Sequence, residues 1–333
     1  MVSISTLTAI RRTMNQKGGP AMKNARKMIV RTFKDDSNSS QALRYFSKIT
    51  LKGALPVFPA LVALSNEAVG GDSEKTVPFG EAMVLISAAA DLHDDVIDQS
   101  FAKGTKQTVL GKFDVATAIL AGDILLVQGF KKLSEAAQSI PQSKSMEITK
   151  LMAEAVFEIC IAESLETKMN KRNEFTTEKY HEVIRLKAVV PELSMKIGAI
   201  LGNGSAEVVE SLGKFGRTYG INSIIIEEFA DLLDKEELQS RLRNEGPPLP
   251  VVYALQNPQT KNELLPLLSN DICEKIHGEI IDIVLASKEV QVLGKRLFSN
   301  AENERTQLPK HLEGNVREEL LNLLLVPLKY FEI

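Results

Sequence analysis

Apolar residues recur along this chain at the spacing of one helix face. Leu85, Ala89, Leu92 and Val96 stand at i, i+4, i+7 and i+11, and Ile272, Ile276, Ile280 and Ile283 form a similar row. No long stretch alternates between apolar and polar residues as a half-buried strand does. Breaks fall at Gly70-Gly71, Gly104, Pro141, Gly202 to Gly204, Gly246-Pro247-Pro248 and Pro258, which parcel the chain into roughly ten helices joined by short loops. No fixed-period repeat, low-complexity segment or linker rich in Pro, Gly or Ser divides it. The pattern predicts an all-α, single-domain helical bundle.

Composition sharpens that picture and removes several functions. With 333 residues, 44% of them hydrophobic, the chain can bury a full core, and 5% aromatic content without Trp implies packing by Ala, Leu and Ile. Forty Lys+Arg against 43 Asp+Glu give a formal charge of -3, which argues against nucleic acid as the main partner. No uncharged apolar run reaches the roughly 18 residues that a membrane span needs. Cys160 and Cys273 lie far apart, without the spacing of a zinc site or a disulfide framework, and read as buried, inert thiols of a cytoplasmic protein. One end is biased in charge. Arg11, Arg12, Lys17, Lys23, Arg26, Lys27, Arg31 and Lys34 all precede the first acid, Asp35. Residues 1–35 therefore read as a basic segment, either belonging to the first helix or directing import into an organelle, with 36–333 as the helical domain.

The sharpest chemistry lies in Asp91-Leu-His-Asp94-Asp95-Val-Ile-Asp98, at the end of an otherwise apolar helix. Asp94 and Asp98 are four residues apart, so their carboxylates share a helix face and can hold Mg²⁺, a hard cation that takes oxygen ligands and bridges to phosphate. The alternative is a solvated acidic helix end. Acids there oppose the helix dipole, which favours a bound counter-ion.

Here the sequence resembles a family. Asp94-Asp95-Val-Ile-Asp98, then Gly104, Lys112-Phe113 and Ala121-Gly122-Asp123-Ile-Leu-Leu, look like the first aspartate-rich region and following helix of the trans-isoprenyl diphosphate synthases, or polyprenyl synthetases. Tyr180-His-Glu-Val-Ile-Arg-Leu-Lys187, Gly198-Ala-Ile-Leu-Gly202, Phe215-Gly216 with Tyr219-Gly220, and Leu249-Pro250-Val251-Val252-Tyr253-Ala254-Leu255 continue the match in order. The resemblance implies a helical fold, usually dimeric, with two aspartate-rich helices facing each other over a central cavity. There Mg²⁺ clamps an allylic diphosphate, whose departure leaves a carbocation that isopentenyl diphosphate attacks.

Set against that family, this chain departs at the sites that hold substrate. The family's Gly-Gly-Lys-Arg-x-Arg-Pro segment corresponds to Gly53 through Pro59, so that its Lys is Leu55 and its last Arg is Phe58; the His seven residues before the first motif is Ser87. The three groups expected on isopentenyl diphosphate are absent. After the first motif, Ala102-Lys103 replaces a pair of arginines, and Lys187-Ala188 replaces Lys-Thr, leaving Lys103 and Lys187 as the diphosphate-binding cations. The second aspartate motif reads Glu227-Glu228-Phe229-Ala230-Asp231-Leu232-Leu233-Asp234, with Ala230 in place of the expected direct metal ligand. Glu227, Asp231 and Asp234 still share a helix face, open to a shifted Mg²⁺ site or to solvent. Asp95 and His93 are expected to support the first motif from behind its ligands. His181 reads as surface, and His277 and His311 have no partner spacing. The family limits product length with bulky residues at positions occupied here by Ala89 and Ala90, which implies an open pocket floor.

Two main readings follow. Loss of the cations with retention of the fold landmarks suggests a catalytically impaired subunit that supports a homologous catalytic prenyl synthase. Retention of Asp94, Asp98 and Lys187 suggests instead an active, Mg²⁺-dependent prenyltransferase, as a homodimer acting on an allylic diphosphate. A cyclase-like third reading is weakened because its metal motif is incomplete, with only Ser223 followed by Glu227.

Overall fold

In chain order the helices are α1 (Ile4–Thr32), α2 (Asn38–Ile49), α3 (Val57–Ala68), α4 (Val77–Ile97), α5 (Val109–Lys112), α6 (Val115–Ala137), α7 (Gln142–Arg172) and α8 (Thr177–Lys187). They continue with α9 (Val189–Leu201), α10 (Ala206–Leu233), α11 (Lys235–Asn244), α12 (Leu249–Ala254), α13 (Pro258–Leu268), α14 (Glu274–Ala286), α15 (Lys288–Gln307) and α16 (Val316–Leu325). This computed structural model describes residues 4–32, 35–172, 174–269, 272–309, 312 and 315–325; Lys34 and His311 lie outside them. Between α4 and α5 a two-residue hairpin pairs β1 (Ala102–Lys103) with β2 (Lys106–Gln107), turning through Gly104 at φ +58°. No described helix is long and apolar enough to cross a membrane.

More helices form than the glycine and proline breaks predict, because polar caps divide segments that carry neither residue. Asp234 accepts a hydrogen bond from the Glu237 amide and starts α11 directly after α10, and Ser287 does the same for α15 through Val290. Asp114, Thr176, Ser205 and Asn257 cap α6, α8, α10 and α13 in the same way. The isoleucine row near the C-terminal end is also shifted. α14 begins after Ile272, and its buried face is His277, Ile280 and Val284.

The core centres on α3, which is buried from Pro59 to Asn66 and packs against α1, α4 and α9. The basic N-terminal helix joins this core. Met14, Ala21, Ala25 and Ile29 form its buried stripe, while Lys17 pairs with Glu67 at 2.6 Å and Asn24 bonds Glu81 at 2.8 Å. Glu81, itself buried, also takes Lys132 of α6 at 2.7 Å. Cys160 and Cys273 depart from expectation, since both are exposed: Cys160 lies on the outer side of α7 near exposed Phe157, and Cys273 is the residue before α14.

Helix α9 approaches α3 through Gly198, where an added Cβ would lie 2.1 Å from the Val62 carbonyl oxygen and 2.9 Å from Ser65 Cβ. Gly198→Ala therefore overpacks a rigid contact and should destabilise by about 1–3 kcal/mol. At Gly294, in α15, an added Cβ meets nothing within 4 Å, so Gly294→Ala should stabilise by about 0.5–1 kcal/mol through helix propensity. Denaturant unfolding of the two variants beside the parent chain measures both signs.

Candidate active site

Helix α4 is buried on every side but one. Leu85, Ala88, Ala89 and Leu92 lie in the core, whereas Ser87, Ala90, Asp91, Asp94 and Asp98 remain accessible along a single stripe. Helix α10 repeats the arrangement: Ile225, Glu228, Phe229 and Leu232 are buried, and Ser223, Glu227, Ala230, Asp231 and Asp234 face outward from it. An accessible acidic stripe on a helix otherwise sunk in protein lines a cleft. Ala90 belongs to that stripe and opens on the cleft, while Ala89 packs with Leu85, Leu92, Ala118 and Ala121. A separate hollow of about 220 Å³ between α6 and α7, lined by Phe130, Leu133, Ser134 and Ser145, contains none of these acids.

Electrostatics show which elements share the cleft. Burial pushes Asp98 up to about 8, with the charges of Asp94, Glu245 and Glu166 adding to it against Lys187. Burial likewise raises Asp91 to about 6 and Glu227 to about 7, the latter helped by Asp231 and Glu228. Glu163 of α7 and Glu245, just after α11, also reach about 7, mainly through burial, and both feel Asp94 and Glu166. Acids from α4, α7 and the end of α11 thus crowd one partly desolvated space, each making its neighbours harder to ionise, while Glu227 feels Asp231 and Glu228 of its own helix.

Three resident cations offset part of this charge. Lys103, on the hairpin, reaches Asp95 at 2.8 Å; Asp95 is buried and its pKa is raised by that burial. Lys187, at the end of α8, contacts Glu163 at 3.0 Å and Glu166 more closely. Burial alone would discharge Lys187, but the two carboxylates hold it well above the usual lysine range. Arg241 of α11 is 5% exposed and donates from Nη1 to Glu228 at 2.9 Å and to Asp231 at 2.6 Å, with Nη2 on the Tyr180 hydroxyl at 3.1 Å.

The structure sorts the expected residues. Asp94 and Asp98 share the cleft with Lys187. Glu227 is accessible on α10, but Asp231 is engaged by Arg241, and Asp234 serves as the N-cap of α11. His93 turns to α6, with Nε2 3.3 Å from Asp123 and 3.4 Å from the Ile119 carbonyl oxygen. His181 accepts or donates toward the Tyr253 hydroxyl at 2.5 Å, and His277 bonds the Leu232 carbonyl oxygen at 2.9 Å. Leu55 is 38% exposed ahead of α3, Phe58 packs against the core around Val62 and Phe79, and Ser87 is half-buried. Glu163, Glu166, Glu245 and Arg241 escaped the sequence reading. Their signals were the i, i+3 spacing of the first two and the i, i+4 ladder Glu237, Arg241, Glu245.

The donor set suits a hard divalent cation, because the accessible groups are carboxylate oxygens in negative excess. Among the described residues no three His, Cys, Asp or Glu side chains converge closely enough to cage one. The cations also leave the two stripes unlike: Lys103 goes to Asp95 rather than to Asp94 or Asp98, whereas Arg241 takes Asp231 itself.

Comparison with known proteins accounts for this architecture. A geranylgeranyl pyrophosphate synthetase from Pyrococcus horikoshii superposes with a TM-score of 0.84 over 97% of this chain and 99% of its own, at 24% identity, a likeness of fold. A short chain isoprenyl diphosphate synthase of Methanothermobacter thermautotrophicus is 28% identical over 256 residues, 74% of this chain and 78% of its own. A geranylgeranyl diphosphate synthase of Methanosarcina mazei is 31% identical over 187 residues, 56% of this chain and only 57% of its own length. Component 2 of the Bacillus subtilis heptaprenyl diphosphate synthase is 27% identical over 69% of this chain and 66% of its own. Residues 40–284 match the family described as polyprenyl synthetase, and with that span, this fold and an acidic stripe on each of α4 and α10, the chain belongs to the polyprenyl synthetase family of isoprenoid biosynthesis.

Proposed function

We propose that this chain binds a prenyl diphosphate through Mg²⁺ on the α4 stripe but does not condense it with isopentenyl diphosphate unaided, acting beside a homologous catalytic subunit. The single observation that carries this reading is the apolar character of the second diphosphate's expected site. Leu55 and Phe58 stand there, Leu55 exposed and Phe58 half-buried against the core cluster that contains Val62 and Phe79. Each missing charge-assisted contact removes about 1.5–3 kcal/mol of binding. An attacking alkene that is not held also forfeits the proximity advantage of a bound pair. Asp94 and Asp98 would hold the metal, which when bound neutralises diphosphate oxygens and polarises the leaving group. Lys187 and Lys103 lie beside the α4 acids to take remaining diphosphate charge, and Ala90 leaves room beneath Asp94 for an apolar tail.

Association with a second chain is supported by apolar side chains exposed on α6, namely Val115, Ile119, Leu120 and Val127. The likeness to a protein named as one component of a heptaprenyl synthase points the same way. The second reading, an active enzyme working as a homodimer, is favoured by Lys187 and by relatives named as synthases.

Three outcomes are expected. In calorimetry with geranyl diphosphate, binding should require Mg²⁺ and weaken about 10-fold or more in Asp98→Asn, and equal binding with and without the metal would remove the α4 site from consideration. In a condensation assay the chain alone should turn over negligibly and a homologous subunit should supply the activity; robust turnover by the isolated chain promotes the second reading. Restoring Leu55→Lys is tolerable at an accessible position, whereas Phe58→Arg also costs core packing, so the pair must be tested for folding before rate.

The third outcome concerns pH. Because Asp91, Asp98, Glu163, Glu227 and Glu245 have raised folded-state values of about 6 to about 8, the folded chain binds more protons than the unfolded one between their ordinary range and those values. Metal-free stability should therefore fall as pH rises from about 5 to about 8, and Mg²⁺ should restore more of it at the upper end. Thermal melts at both pH values with and without Mg²⁺ report this; a melting point that rises with pH in the absence of metal contradicts it.

A further inference from the structure

We infer that Arg241 is a built-in counter-ion that takes the place of a divalent cation on α10, so that metal binding in this chain depends on the α4 carboxylates and not on Asp231. A single nitrogen, Nη1, lies 2.9 Å from Glu228 and 2.6 Å from Asp231, bridging two carboxylates of one helix as a metal ion would bridge them. Nη2 also donates to the Tyr180 hydroxyl at 3.1 Å, and Nε, without a hydrogen bond of its own, lies 3.3 Å from the Glu245 carboxylate as an ion pair. Tyr180 in turn donates to the Pro247 carbonyl oxygen at 2.8 Å, and the second oxygen of Glu228 accepts from the Leu249 amide at 2.7 Å. The arginine is thus fixed from α8, α10 and the α11–α12 connection together.

Charge makes this arrangement exclusive. A guanidinium cannot discharge in a protein, and Glu228, Tyr180 and Glu245 hold this one further above its ordinary range despite burial. A divalent ion on Asp231 would face that fixed positive charge within one coordination radius, and would have to displace a charge-assisted bond from a side chain that is almost wholly buried. Substitution of Ala230 for an acid removes the neighbouring ligand as well. Helix α11 therefore closes the second stripe from inside, and α4 keeps its accessible pair. The first half of this inference stands on α10 and α11 alone, and the second half rests on the proposed metal role of Asp94 and Asp98.

Manganese binding to the full chain, followed by the protein-dependent loss of the free-ion electron paramagnetic resonance signal, separates the two. The parent chain should bind Mn²⁺ in a manner lost in Asp94→Asn and unaltered in Asp231→Asn. Arg241→Gln should gain an additional Mn²⁺, and the added Asp231→Asn change should abolish that gain. Loss of a bound Mn²⁺ in Asp231→Asn alone, or no gain in a folded Arg241→Gln chain, overturns the inference. A parent chain that binds no Mn²⁺ while Arg241→Gln gains one instead removes the α4 reading and leaves the role of Arg241 supported. If Arg241→Gln does not fold, Arg241→Lys keeps the charge, and the Asp231→Asn comparison in the parent chain decides by itself.

Discussion

Repulsion among carboxylates gathered in one partly dry cleft is the constraint around which this molecule is arranged. Burial, together with the charge of neighbouring carboxylates, raises Asp91, Asp98, Glu163, Glu227 and Glu245, which come from four segments of the chain, while Lys103, Lys187 and Arg241 offset that charge from the edges. An uncompensated cluster of this kind would open the fold. Each cation enters from an element attached to the bundle at one side: the hairpin after α4, the end of α8, and α11. The short connections that carry them are therefore structural parts of the site.

The rest of the bundle fixes α4 and α10 in place. Helix α3 provides the rigid centre, with α9 pressed against it at Gly198 and α1 stitched on by Lys17 and Asn24. Helices sunk this deeply cannot rotate to hide an acidic stripe in solvent, so the stripes remain pointed into the cleft. The two sides nonetheless differ in character. On α4 the acids retain an accessible face, with Lys103 drawn off to Asp95; on α10 the acids are stitched into the fold through Arg241 and the caps of α11.

Phe58 illustrates how such a change becomes fixed. Phe58 is half-buried against the cluster that contains Val62 and Phe79, so a cation placed there costs buried apolar area. Leu55, half in solvent, carries no such penalty. The two residues look alike as letters and differ in consequence because Phe58 packs against the core cluster and Leu55 does not.

Helical periodicity and the row of ordered motifs were enough to reveal an all-α bundle and its family, because a 3.6-residue pattern and short local motifs are written in neighbouring residues. The α4 stripe was legible for the same reason, Asp94 and Asp98 being one helical turn apart. Helix divisions at Asp234 and Ser287 were harder, since a cap competes with propensity over only three residues. The exposure of Cys160 and the inward turn of the basic first helix depended on which helix packs on which. Above all, the pairing of Arg241 with Glu228 and Asp231 could not be read from spacing. Their separations of 13 and 10 residues cross a helix break, and whether the chain doubles back there to place a guanidinium on those carboxylates is decided by tertiary packing. Local sequence determined what each helix offers to the cleft, and long-range packing decided which of those charges are left for a ligand.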